Sequence, residues 1–426
     1  MKVGVIGAGI IGCAIAWELR KRGAEVTVFE KLGDAGHGST SASCGIIRRC
    51  YSQTSMIKLS NEASEIWAEW ENWLGPIEGS LARFERPGML LIPSNVDEGF
   101  LQVIEEMKNS RVKAEFLDKN AINEKFPFLN TDAFFPPKPV DDDSFFNETG
   151  VLQGGVWEQD AGYVVSPGLA NTNLKLAAQR DGVEFLFNTE VCKIEHDGGA
   201  PYSIVTNDGQ THQFDVMVNA AGPWSSKINQ LAGVELPLEN RALRREVHAV
   251  KNPVFGQHDM PVVGDLDSGT YFRPETGGID IIIGSTDPEC DEKEWVENPD
   301  EVDIGLTETY WERQVLRTIR RIPKLQMGKA RGLAHMYDVT LADWYPTVDR
   351  TDIDGWYVAL GTSGSSFKTA PMIGVMMAEI VYACENGHDH DNDPVILDLP
   401  RIGLSLDTSF LSRLRSANAT TGTVFG

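Results

Sequence analysis

The sequence predicts an α/β fold of two interleaved domains, one of them built on a parallel sheet. Three observations carry this. A glycine motif between two apolar strands opens the chain, and an apolar strand ending in small residues returns toward it at Val216 to Gly222. A chain of 426 residues is also too long for one ordinary core.

Val3-Gly4-Val5-Ile6 is an apolar strand that runs into Gly7-Ala8-Gly9-Ile10-Ile11-Gly12. The first glycine of such a motif allows a tight turn, and the second lets a pyrophosphate approach the backbone. The third lets helix and strand pack closely. The spacing predicts a helix from Ile10 to about Arg22, a stop at Gly23, and a second strand, Val26 to Phe29, that finishes on Glu30. A diphosphate would sit on the helix N-terminus, and Glu30 would accept hydrogen bonds from an adenosine ribose. Strand, turn, helix and acid in this order predict a Rossmann-type dinucleotide site.

A small-residue stretch from Gly36 to Gly45 leads into Ile46-Ile47-Arg48-Arg49. Met56, Leu59, Ala63, Ile66, Trp67, Trp70 and Leu74 then recur at helical spacing and read as core. Phe84 to Pro93 reads as one strand, and Asn130 to Gly150 as an ordered surface excursion. Its run Asp141 to Asp143 lacks the alternate-position spacing of a calcium loop, so no metal site is expected. Ser166-Pro167 caps a helix to about Asp181, strands follow at Val183 to Phe187 and Val191 to Glu195, and Asn207-Asp208-Gly209 marks a hairpin. Residues 233 to 330 form a different block, with short strands and a helix near Glu308 to Ile322. Strand Gly355 to Leu360 then turns through Gly361 to Lys368 into a helix with Pro371 in its first turn. Such a turn aims backbone N–H groups and a positive dipole end at something anionic or electron-rich.

A net charge of −24 argues against nucleic acid and against an anionic membrane surface. It also means that an anionic substrate needs a locally basic pocket. The six cysteines are scattered without a Cys-x-x-Cys pair, which predicts neither a zinc site nor a disulfide framework. The first strand begins at Lys2, leaving no room for a signal peptide, and no run of roughly 18 apolar residues exists. A soluble, cytoplasmic protein without a membrane span is expected, as a monomer or small homo-oligomer.

Taken in order, the first motif, Ala221-Gly222-Pro223-Trp224, Tyr271-Phe272-Arg273-Pro274 and the Gly361 to Lys368 turn resemble the D-amino-acid-oxidase-like superfamily of flavoenzymes. Ile46 to Tyr51, His335-Met336-Tyr337-Asp338-Val339-Thr340 and Ser363-Gly364-Ser365-Ser366-Phe367-Lys368 resemble segments of its sarcosine oxidase and dimethylglycine dehydrogenase branch. The resemblance implies FAD as cofactor and a discontinuous FAD domain of residues 1–82, 151–232 and 331–400. A substrate domain of 83–150 and 233–330, with a mainly antiparallel sheet, would cover the flavin ring. Residues 401–426 are left as a tail, for docking or disordered.

The same resemblance assigns residues. The cofactor would be held by Gly7, Gly9, Ile11, Gly12, Glu30 and Lys31, and by Ser39, Thr40, Cys44 and Gly45 in the small-residue stretch. Val191, Ala221, Gly222 and Trp224 would join them, with His335, Gly361, Gly364, Ser365, Ser366, Phe367 and Lys368 at the late segments. Arg48 and Lys368 would clamp a substrate carboxylate, because Arg offers a bidentate fork and Lys a point charge. Tyr337 and Tyr271 match aromatic positions of the substrate cavity, and Arg49 would add charge.

Two departures bear on the chemistry. Relatives that carry flavin covalently use a Cys where this chain has His335, or a His where it has Ala42, so non-covalent FAD is expected. Oxidases of the branch also place a lysine where Ile282 stands, and without that cation oxygen reduction loses electrostatic help. The expected activity is oxidation of the C–N bond of an N-substituted glycine, of the sarcosine, dimethylglycine or iminodiacetate type. The imine would hydrolyse to amine and aldehyde, with O2 reduced to H2O2. A dehydrogenase using another electron carrier, a 2-hydroxy-acid dehydrogenase of the superfamily, and a non-catalytic flavoprotein subunit stay open as alternatives.

Overall fold

The computed structural model describes residues 1–418. The opening motif folds as expected. Strand Lys2–Ile6 passes through Gly7 into helix Ile10–Lys21, and strand Glu25–Phe29 lies beside the first in parallel. These strands belong to a six-stranded sheet whose order is Glu184–Leu186, Glu25–Phe29, Lys2–Ile6, Val216–Asn219, Trp356–Leu360 and Thr347–Arg350. Only the last pairing is antiparallel. Helix Ile10–Lys21 covers one face with Pro167–Arg180 and Ala370–Glu385. It lies so close to Ala370–Glu385 that a Cβ at Gly374 would meet Ala14 O at 2.7 Å. The other face is closed by the meander Val191–Glu195, Tyr202–Thr206 and Thr211–Phe214, whose apolar residues form one cluster with Ile6, Phe29 and Trp356.

The second sheet has nine strands and is antiparallel except where Val262–Asp265 pairs with Met89–Ile92. Its longest strand, Asn240–Lys251, pairs along one edge with Gly332–Thr340 and along the other with Asp280–Ser285 and Glu294–Val296. Helix Glu308–Arg321 packs on this sheet and closes a separate core around Trp157, Phe272 and Trp311. Among the described residues no helix is long and apolar enough to cross a membrane.

Three expectations need revision. Phe84 to Pro93 is two strands, because Pro87 lacks an N–H and Gly88 takes a φ of +79° against the Trp157 ring. Phe84–Glu85 joins a small sheet with Ile46–Ile47 and Gly162–Val164, while Met89–Ile92 enters the large one. Gly154–Glu158 and Gly332–Thr340, expected in the first domain, hydrogen-bond into the nine-stranded sheet instead. The tail is built into the fold as far as Asn418: Arg413 pairs with Asp349, Asp352 and Asp391, and Arg415 with Asp343. Residues 419–426 of that expected tail lie outside the described residues.

Candidate active site

Two cavities meet where the sheets meet. The larger, about 1250 Å³ and partly open, runs along the C-terminal ends of the parallel strands. It starts at the glycine turn. A Cβ at Gly7 would lie 2.5 Å from Ala220 O, and one at Gly12 would lie 1.9 Å from Gly7 O. Gly9, by contrast, has only Thr40 Oγ1 at 3.3 Å in front of it and borders the cavity. Helix Ile10–Lys21 has no side-chain cap at Gly9 and no acid in its first turn. Thr40 Oγ1 accepts from the Ile10 N–H at 3.0 Å, and Gly9, Ile10 and Ile11 border the cavity, so an anion there would meet the helix's positive end.

Glu30 is oriented at the far side of the turn. Its Oε2 accepts from the Ala8 N–H at 2.9 Å and its Oε1 from the Leu32 N–H at 2.9 Å. Each oxygen keeps a lone pair for a ribose hydroxyl. Asp300, sent across from the other domain, accepts from Lys31 Nζ at 2.7 Å, Trp224 Nε1 at 2.8 Å and Lys227 Nζ at 3.0 Å. These three donors, with hydrogen bonding from Lys31 first, hold its carboxyl far below the usual carboxylate range. The cradle and the acid fit a dinucleotide bound by its diphosphate and ribose.

The smaller cavity, about 820 Å³, joins the first at Ser43, Tyr337, Gly364 and Phe367. Ser39 Oγ donates to Met336 O at 2.6 Å and Tyr337 Oη donates to Ala42 O at 3.0 Å, so the small-residue stretch is pinned to strand Gly332–Thr340 at the junction. Below it, Asp338 accepts from the Gly361 N–H and from Thr362 Oγ1 at 2.8 Å, which sets the late turn. Gly361 itself points away from both cavities, toward Thr340 and Asn240.

Arg48 and Lys368, 320 positions apart in sequence, line this cavity together (368 − 48 = 320). The Arg48 guanidinium lies 4.0 Å from the Tyr51 ring centroid, and its Nη1 donates to Cys50 O. Lys368 Nζ donates to Tyr51 Oη at 2.9 Å and to Ser365 O. Burial first, then the Arg48 charge, hold the Lys368 ammonium well below its ordinary pKa. Tyr271 and Tyr337 also line the cavity, as predicted, with Tyr271 Oη 3.2 Å from Cys44 Sγ. His335 is here too. Its Nδ1 accepts from the Met336 N–H at 2.8 Å, and burial lowers its pKa, so the ring is neutral.

The predicted residues divide accordingly. Gly7, Gly9, Ile11, Glu30, Lys31, Ser39, Thr40, Val191, Ala221, Gly222, Trp224 and Ser366 border the larger cavity. Cys44, Gly45, His335, Ser365 and Lys368 border the smaller one, and Gly364 and Phe367 border both. Gly12 and Gly361 serve packing instead. Arg49 is a correction: it is buried against Glu158 with Nη1 3.1 Å from Ser64 Oγ, and it reaches neither cavity. Ile282 likewise borders neither. The cation in Arg49's stead is Arg245, which sequence reasoning missed. Strand pairing sets Arg245 opposite His335 and Val247 opposite Leu333, and all four border the smaller cavity.

Comparison with known proteins gives a consistent picture. The family model described as FAD dependent oxidoreductase matches residues 2–380. The chain is 25% identical over 413 residues to FAD-dependent oxidoreductase domain-containing protein 1 of Bos taurus, covering 88% of this chain and 80% of that protein. It is 27% identical over 385 residues to sarcosine oxidase subunit beta of Rhodobacter capsulatus, covering 88% and 84%. The solved L-proline dehydrogenase from P. horikoshii matches with a TM-score of 0.72 at 24% identity, over 91% of this chain and 98% of that one. That last likeness speaks for the fold alone.

Proposed function

The chain belongs to the FAD dependent oxidoreductase family with FAD as its cofactor, and from that premise we propose that it oxidises the C–N bond of an N-substituted glycine. The observation that carries the reading is the small cavity abutting the dinucleotide cleft, with Arg48, Lys368 and Tyr271 lining it and Tyr337 at the junction. FAD, when bound, supplies the acceptor for a hydride equivalent. The protein's part is to hold the substrate. Arg48 presents a fork and Lys368 a point charge to the carboxylate. The tyrosines exclude water from the junction, and the neutral imidazole of His335 adds no competing cation. The product imine then hydrolyses to amine and aldehyde.

Dioxygen, reduced to H2O2, is the proposed acceptor of the electrons. Arg48 and Arg245 border the small cavity and bring guanidinium groups there, Arg245 as a pair with Asp287, even though Ile282 brings none. FAD is held without a covalent bond on this reading, so acid precipitation leaves the yellow colour in the supernatant; colour in the pellet overturns that point. The carboxylate clamp has its own test. Arg48→Ala should raise KM for sarcosine or iminodiacetate at least about tenfold, the scale of one charged hydrogen bond. An unchanged KM removes Arg48 from the site.

A further inference from the structure

We propose that Arg245 anchors a second acidic group of the substrate, so that the enzyme selects N-substituted glycines whose N-substituent itself carries a carboxylate. The inference rests on the amine-oxidising reading and names the substrate class for it. Arg245 sits on strand Asn240–Lys251, a different element from those that carry Arg48 and Lys368, and it borders the same cavity. Its Nη2 is paired with Asp287, whose backbone is held at a φ of +55° by an N–H to Ser285 Oγ bond of 2.9 Å. The rest of the fork is not used up. Among the described residues, Arg245 Nε is buried without a hydrogen-bond partner. Nη1 lies toward Gly364, where a Cβ would come within 3.0 Å of it, so the absence of a side chain at Gly364 keeps the fork clear.

A guanidinium carries five N–H donors and can serve two carboxylates at once. Asp287 takes Nη2 and keeps the guanidinium aimed, which leaves Nη1, the donor that lies toward Gly364 at the cavity, for a ligand carboxylate. The resulting site has two anion anchors carried by different elements of the fold. That geometry suits an amine flanked by two carboxylates, as in iminodiacetate and other N-carboxyalkyl amino acids.

The test uses the FAD-loaded chain and two thioethers that resemble substrate but have no amine to oxidise. Thiodiacetate has two carboxylates and methylthioacetate has one. Titrations followed by the flavin absorbance should show the diacid bound at least about tenfold more tightly, the scale of one charge-assisted contact. Arg245→Gln should cost the diacid at least about tenfold more than it costs the monoacid, with Arg245→Lys restoring part of the preference. Arg48→Ala should weaken both ligands. Equal affinity of the intact chain for the two thioethers overturns the proposal, and so does a diacid preference that survives Arg245→Gln. Should Arg245→Gln not fold, anaerobic flavin reduction in the intact chain decides: iminodiacetate should reduce the flavin at lower concentration than sarcosine. Equal concentration dependence sinks the second anchor alone, whereas no reduction by either amine sinks the amine-oxidising reading.

Discussion

Lys368 carries its proton against resistance. Burial and the neighbouring Arg48 lower its pKa, and Glu158, the one charge that opposes them, is engaged by Arg49. A substrate carboxylate entering the cavity supplies the missing counter-charge. Binding should therefore draw a proton onto Lys368 whenever the pH lies above its lowered pKa. The sign follows from linkage: affinity for a carboxylate ligand falls as pH rises through that range, by up to about tenfold per pH unit. Methylthioacetate is the suitable probe, because it has no titrating amine of its own. Lys368→Met should abolish the slope. A slope that persists in the variant assigns the proton to another group, Tyr51 being the nearest candidate at 2.9 Å. At this scale the sequence was informative where a motif carried the residue. Arg48, Lys368, Tyr271 and Tyr337 were legible because each stands in a recognisable segment. Arg245 was not, since Arg241, Arg244 and Arg245 lie within one strand and only its register shows which faces inward. Arg244 turns the other way, toward Glu246 and Glu294.

Elements reach the site through anchors that a sequence does not display. Helix Glu308–Arg321 ends on Arg321, which is fully buried and pairs with Asp265 at 2.7 Å and Asp267 at 2.9 Å. Arg321 also donates to Asn130 O and to Asp132 O at 3.0 Å, and Asp267 accepts the N–H groups of Phe134 and Phe135 at 2.8 and 3.1 Å. One guanidinium thus ties the 130–150 excursion to the nine-stranded sheet. Arg321→Met should leave two buried carboxylates uncompensated and cost about 3–5 kcal/mol in denaturant unfolding. A loss below about 1 kcal/mol would show that the cluster does not anchor the excursion. The excursion was read correctly as ordered, but its anchors come from residues more than a hundred positions away. Helices announced themselves better, through caps and spacing: Ser166 caps Pro167–Arg180 by accepting from the Leu169 N–H at 3.2 Å. Strands such as Gly332–Thr340 could be recognised as strands but not assigned to a sheet, because pairing partners are a tertiary choice.

Across the whole molecule, the two sheets are joined at the site rather than beside it. Asp300 crosses from the large sheet's side to Lys31, Trp224 and Lys227, while Ser39 and Tyr337 tie the small-residue stretch to strand Gly332–Thr340. On the proposed reading the glycine motif would hold the cofactor's diphosphate at one end of the larger cavity, and the chemistry would belong to its junction with the smaller one. The motif was legible because it is local. The smaller cavity was legible only through resemblance, and without Arg245, because Arg48, Tyr271, Tyr337 and Lys368 come from four separate stretches of chain. The central claim is that this junction oxidises an amine held by its carboxylate. Anaerobic mixing of the FAD-loaded chain with sarcosine, dimethylglycine, iminodiacetate, a matched amine lacking the carboxylate, and a 2-hydroxy acid tests it most directly. The flavin's visible absorbance should bleach with at least one N-substituted glycine and persist with the other two classes. Bleaching by the hydroxy acid alone, or by none of them, would contradict the account.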